Sequence, residues 1–375
     1  SSHIVSDLEK LCDYVAFLHK GKLLLCEEKD QLLAEYGLIH CTAEELHNLP
    51  ATAIKYKKEN LKIIDKGTSA RGVEHDCLLP KPYCDAKIPV MLYDGIKETV
   101  KDIQTSEFAY KAHLPASRHV ASSQTACINL FVPILESEYA DMILKTSGVA
   151  PKGFNHIDRS QFRKGYCFEY WESSLEGAKG LLGDHSPHAG TDSDVAIAYR
   201  NKNNKLCLWL IEHKLTEQEF TTCGGYRSKG ISHSEKAYCT SCGIEEILEN
   251  QDKCYYHKHC GYFYWNIMDA RSSFFCGKYE GNGCPFRGGM NQLWRNQMLA
   301  LELENRGVFE DVYFSVVSHP DNSFLDKTMN EYRALTNNSP KFYYFKSNAL
   351  VDVAVDYLPD WSNWYKKVYL GIEKC

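Results

Sequence analysis

Residues 191–217 read TDSDVAIAYRNKNNKLCLWLIEHKLTE. The run LCLWLI is apolar at every position, as in a strand covered on both faces, yet it ends in Glu212-His213-Lys214. DVAIAY before it is also strand-like, and NKNNK is a short polar turn, so the spacing predicts an antiparallel hairpin. In that pairing the start of the first strand lies beside the end of the second. Asp194 therefore falls next to Glu212 and Lys214, which share one face because side chains two apart in a strand point the same way, while His213 points to the other.

Outward from the hairpin, VMLYDGIKETVKDIQ and SSQTACINLFVPILESEYADMILK read as helices and YCFEYW as a strand. Downstream come a Cys-rich insertion over 223–284, a helix (MNQLWRNQMLALELENRG), the strands VYFSVVSH and KFYYFKS, and a terminal helix with a Trp-rich tail. This order predicts an α/β fold in which helices cover a central sheet. The stretch 49–84, basic and polar and then punctuated by prolines, reads as a linker. A chain of 375 residues suits one large domain with an appendage.

No apolar run is long enough for a bilayer, and SSHIVSDLEK lacks a charged leader followed by an apolar block, so the reading is cytoplasmic with no membrane partner. In that compartment sixteen Cys imply thiols or a metal site rather than a disulfide framework. The net charge of -6 provides no global basic field, so nucleic acid would have to be met by local patches.

Two carboxylates and an ammonium at a sheltered strand end repel or desolvate badly unless a cation and an anion join them. Oxygen ligands of this kind suit Mg²⁺ (or Mn²⁺), which takes one or two carboxylates, waters and substrate phosphate. That is the make-up of a phosphodiester-cleaving site. The constellation resembles the PD-(D/E)XK nuclease superfamily, with Asp194 as the first acidic residue, Glu212 as the second and Lys214 as the lysine. The resemblance covers about residues 85–375, a restriction-endonuclease-like bacterial family. It implies a mixed central sheet flanked by helices, a metal held by Asp194, Glu212 and the His213 carbonyl, and DNA as the partner. Ser193 stands where that family usually has Pro. The plainer alternative makes Asp194 and Glu212 turn residues, with Lys214 a surface lysine paired to Glu217. Gln124 and Asn129 on the preceding helix, Glu169, and Gln292, Arg295 and Asn296 on the later helix are further candidates around the site. Homodimerisation is left open.

The insertion holds Cys223, Cys239, Cys242, Cys254, Cys260, Cys276 and Cys284, with His233, His257 and His259. Cys239-x-x-Cys242 has the spacing of one knuckle of a structural Zn²⁺ site, and no second knuckle is evident. The alternative is a set of buried thiols filling gaps among aromatic rings. Arg227, Lys229, Lys236, Lys258 and Arg287, interleaved with Tyr and Phe, form a candidate nucleic-acid path. If catalysis were absent, a zinc-containing nucleic-acid-binding module would remain.

Residues 1–48 open with capping-box spacing at Ser6 and Glu9, continue as two apolar segments around His19-Lys20-Gly21, and end in a helical pattern stopped by Gly37. They resemble the C-terminal end of an ABC transporter ATPase domain, with His3 at the position of its switch histidine. The GxxxxGK[ST] loop that such an ATPase needs to cradle phosphate occurs nowhere in the chain, so the segment reads as a truncated fragment and His3 as an ordinary histidine.

Overall fold

The computed structural model describes residues 14–19, 22–28, 45–69, 72–84, 88–106, 118–172, 179–186 and 190–372. The chain divides into two compact units, Ser1–His47 and Asn48–Cys375. In the first, β1 (Tyr14–His19) and β2 (Lys22–Glu28) pair antiparallel with an irregularity at Phe17/Leu18. This is the hairpin expected around Lys20-Gly21. His3, the Ser6/Glu9 spacing and the helix ending at Gly37 lie outside the described residues.

The second unit does not begin with an irregular linker. Helix α1 (Glu45–Glu59) runs into it, followed by the two-residue pair β3 (Gly67–Thr68) and β4 (Glu74–His75). The basic composition of KYKKEN hid a buried lysine. Lys57 is 0% exposed, and its ammonium donates to the carbonyls of Asp65, Asp76 and Leu78 at 2.7, 3.0 and 3.1 Å. Three carbonyls supply the acceptors that water would otherwise provide, so one cation stitches the helix to the loop behind it.

The core of the unit is a mixed sheet. Its strands are β5 (Phe154–Ile157), β6 (Tyr166–Tyr170), β7 (Ser193–Asn201), β8 (Leu206–Lys214), β9 (Val312–Ser318) and β10 (Phe342–Lys346). The order is β10-β9-β8-β7-β5, with β6 also paired to β7. β5, β6 and β8 run antiparallel to β7, whereas β8, β9 and β10 are mutually parallel. The β7–β8 turn forms because the Asn201 side-chain oxygen accepts the N–H groups of Asn203 and Lys205 at 2.9 and 3.0 Å, and Asn204 takes a left-handed φ of 59°.

Side chains alternate between two cores. Val195, Ile197, Tyr199, Cys207, Trp209 and Ile211 pack on one side with α3 (Ser123–Glu136) and the C-terminal helices. Ala196, Ala198, Leu208 and Leu210 pack on the other with α6 (Met290–Asn305) and α7 (Asp326–Leu335). The fold is therefore the restriction-endonuclease-like α/β arrangement, a mixed sheet between helical layers. Covering both faces explains the uninterrupted apolar run of β8. Three details differ from the sequence reading. The helix expected over 90–104 is a short 3₁₀ turn followed by α2 (Lys97–Thr105), the long helix over 122–145 breaks into α3 and α4 (Ala140–Thr146), and β5 and α7 were not foreseen. No helix among the described residues is long and apolar enough to cross a membrane.

Candidate active site

At the start of β7 the two strands of the hairpin part, and side chains take over the ladder. The last registered pair is Val195↔Ile211. Beyond it the Ile211 N–H donates to Ser193 Oγ at 3.0 Å, and the His213 N–H donates to Asp194 Oδ2 at 2.6 Å. The Asp194 carboxylate thus fills the widening gap between the strands, beside Glu212.

Glu212 is 4% exposed and held from three directions. Gln292 Nε2 donates to Oε1 and Asn296 Nδ2 to Oε2, each at 2.7 Å, both from the first turns of α6. Lys214 Nζ reaches Oε1 at 2.9 Å. Lys214 is not a surface lysine. It is 8% exposed, with the Phe220 ring 5.8 Å from its ammonium. Burial works against its charge, but Glu212, Glu217 and Asp194 outweigh that and raise its pKa. Glu217, to which the plainer reading paired it, is held low by Lys214 against the opposing effect of burial, and takes the Leu215 N–H at 2.7 Å. The structure brings Asp194, Glu212 and Lys214 together.

Two more carboxylates join them. The alternation of β6 breaks at Glu169, where φ is +51°, so Phe168 and Tyr170 face different cores. Glu169 accepts from Gln124 Nε2 at 2.8 Å, so Gln124 reaches the site through Glu169. Glu169 and Asp194 lie in one small pocket with Gln124, Cys127, Ile128 and Phe168. Burial pushes the Glu169 pKa up to about 7, with Asp192 and Glu212 adding to the rise. Burial likewise raises Asp194 well above the ordinary range, helped by Glu212 and Glu169 and opposed by Lys214 and the His213 N–H. Asp192 is raised by burial and by Glu212, with His185 and Arg295 opposing. The sequence reading left the facing of Glu169 open and passed over Asp192. The signal available for both was acidic density, TDSD beside CFEYW.

The other candidates divide. Asn129 is structural: it bonds the Tyr93 N–H, the Met91 carbonyl and the Tyr369 hydroxyl. Arg295 stands on the α6 face toward Thr191, donating to its Oγ1 at 3.3 Å. His213 points to the α3 side, where the Ser123 hydroxyl donates to its carbonyl at 2.9 Å and lies 3.2 Å from Nδ1. Burial lowers the His213 pKa to about 4, so the ring is neutral at physiological pH.

In the insertion, Lys258 is paired with Glu235 at 2.9 Å and Arg287 donates to the Cys239 carbonyl at 3.3 Å, so both are engaged within the lobe. Arg227, Lys229 and Lys236 are exposed. Cys239 is buried, Cys242 is half-buried at the C-terminal cap of α5 (His233–Ser241) and Cys276 is exposed.

Among the described residues no group of three or more His, Cys, Asp or Glu side chains could hold a metal ion as it stands. A divalent ion bound through two carboxylates, a carbonyl and waters does not need a third such side chain. The fit rests on electrostatics. Asp194, Glu169 and Asp192 all have raised pKa values because each is desolvated and, to a lesser degree, faces neighbouring carboxylates, which is the imbalance that a dication relieves. Over residues 51–370 the sequence matches the family described as "Restriction Endonuclease associating with ARP". No curated protein and no solved structure matches the chain.

Proposed function

The chain belongs to that restriction endonuclease family, and from this premise we propose that it is a metal-dependent nuclease of the PD-(D/E)XK type that hydrolyses phosphodiester bonds in DNA, in a restriction or defence setting. The observation that carries the reading is the meeting of Asp194, Glu212 and Lys214 where β7 and β8 part.

Asp194 and Glu212 would hold Mg²⁺ or Mn²⁺, which supplies a polarised phosphoryl oxygen and an acidified water. The rest falls to the chain's own groups. Gln292 and Asn296 fix both oxygens of Glu212, so its carboxylate cannot rotate away from the site. Lys214 stays charged, so it donates hydrogen bonds and does not take a proton. Its ammonium orients the attacking water and balances the charge that grows on the phosphate oxygens as the bond to the leaving sugar oxygen lengthens. Arg295 adds a second cation on the α6 side of the site.

Nicking of supercoiled plasmid by the full chain in Mg²⁺ or Mn²⁺, compared with EDTA, tests the reading, with single-stranded DNA and RNA as parallel substrates. Cleavage with either metal and loss in EDTA, in Glu212→Gln and in Lys214→Ala are expected. A wild-type chain that retards DNA on a gel but cuts none of these substrates would replace the nuclease with a binding module.

A further inference from the structure

The insertion between β8 and α6 has no sheet of its own and is built of short helices and turns. Cys223, Cys239, Cys254 and Cys284, each from a different segment of it, line one partly open cavity of about 20 Å³, room for a single small occupant. None is in a disulfide. Every pair among the four sulfurs is near enough to interact electrostatically. Cys242 and Cys276 line no part of the cavity, and Cys260 senses only Cys254.

Burial raises the pKa of all four thiols, and nearby main-chain N–H groups oppose that rise. Cys223 Sγ accepts the N–H of Tyr226 at 3.4 Å and also that of Gly225. The N–H groups of Tyr256 and His257 are turned toward Cys254, and that of Phe286 toward Cys284. Donors two or three residues after the cysteine are what a turn folded around a charged sulfur provides. Main-chain bonds also tie the segments together: Cys284 N–H to the Cys239 carbonyl at 3.0 Å, and Cys223 N–H to the Arg287 carbonyl at 3.2 Å.

A purely apolar gap-filling role for these thiols leaves one observation unexplained. Trp294 Nε1 and both amide atoms of Asn291 are buried without a hydrogen-bond partner, and both residues line this cavity, as does Trp265, whose indole N–H is turned toward Cys254. Orphaned donors are rare in a greasy core. A tetrathiolate centre, carrying a net charge of two negatives, gives the N–H donors of Trp265, Trp294 and Asn291 an acceptor.

We propose that Cys223, Cys239, Cys254 and Cys284 form a structural zinc site. The sulfurs stand around the cavity without a ready-made coordination geometry, so they close by side-chain rotation toward Zn–S distances of about 2.3 Å. Four S–H bonds lose their protons to solvent as four Zn–S bonds form, with no change of oxidation state. Cys284 precedes α6, the helix whose Gln292 and Asn296 grip Glu212, so the zinc would anchor that helix from outside the site.

Metal content of the purified full chain, expressed with added zinc, tests this independently of any cleavage. One zinc per chain is expected, with loss in Cys223→Ser, Cys239→Ser, Cys254→Ser and Cys284→Ser and retention in Cys242→Ser, Cys260→Ser and Cys276→Ser. If a variant of the quartet does not fold, cobalt exchanged into the wild-type chain decides, through the intense tetrahedral absorption and sulfur charge-transfer bands of a four-thiolate centre. Absence of stoichiometric metal from the wild type, equal loss from the control variants, or the weak spectrum of oxygen-ligated cobalt overturns the proposal.

Discussion

Asp194→Asn separates charge from shape at the parting of the strands. The amide oxygen can still accept the His213 N–H, which the carboxylate takes at 2.6 Å, so the sheet is left intact while one negative charge disappears. At an effective dielectric near 20, two unit charges at the outer end of close-pair range, roughly 6 Å, repel by about 3 kcal/mol. Lys214 offsets part of that for Asp194, leaving a net relief on the order of 1–2 kcal/mol. In a domain of this size that is a rise in Tm of about 2–4 °C. The sign depends on pH. Asp194 is raised well above its ordinary 3.8 and Glu169 to about 7, so the folded chain keeps protons that the unfolded chain has lost. Stability from these groups is complete below their unfolded values and is lost as pH rises toward and through neutrality. The variant should therefore gain most at pH 8, little at pH 4, and show a flatter profile between. Mg²⁺ acts in the opposite direction: at a hundredfold excess over its Kd it should stabilise the wild type by about 2.7 kcal/mol and the variant far less. Thermal unfolding at both pH values, in EDTA and in Mg²⁺, reads all of this. A variant less stable than wild type in EDTA at pH 8, or an equal Mg²⁺ shift in both proteins, would refute the crowded-carboxylate account.

Lys214→Ala should lower nicking by about 10²–10³-fold and, by leaving Glu212 buried without its cation, destabilise the fold by about 3 kcal/mol; urea denaturation beside the cleavage assay separates the two. Asn296→Ala frees one oxygen of Glu212 and should lower metal affinity or activity by about 10–100-fold, seen as a higher Mg²⁺ concentration for half-maximal cleavage, and an unchanged Mg²⁺ requirement would count against the grip by α6. Lys57→Met removes the shared donor of three carbonyls, so a loss of about 2–4 kcal/mol in unfolding free energy is expected, read as a lower denaturant midpoint at unchanged slope, with cleavage per folded molecule unaltered.

The central hairpin was legible because its signals are local: an apolar run with no polar break, an Asn-rich turn, and charges at one end. The convergence of Asp194 with Glu212 and Lys214 followed from antiparallel register alone. Glu169 was not legible. Its direction depends on a left-handed backbone at one residue, which no side-chain pattern announces. Lys57 misled for the converse reason: a lysine in a polar run reads as solvated, and only tertiary structure reveals the three carbonyls around it. The roles of Gln292 and Asn296 required knowing that α6 crosses the end of β8, a contact between segments separated by the entire insertion. Strand β5 is too short, at four residues, for periodicity to register.

Ser193 occupies the place where the resembling nucleases usually carry proline, and its hydroxyl does what an imide ring cannot. It takes the Ile211 N–H while also lying 3.1 Å from the Ile211 and Val195 carbonyls. A proline there would strip that clasp and leave a peptide donor in the sheet interior with nothing to bind. The position is better understood as a seam closed by a side chain than as a worn signature, and searches that demand the ring would pass over such chains.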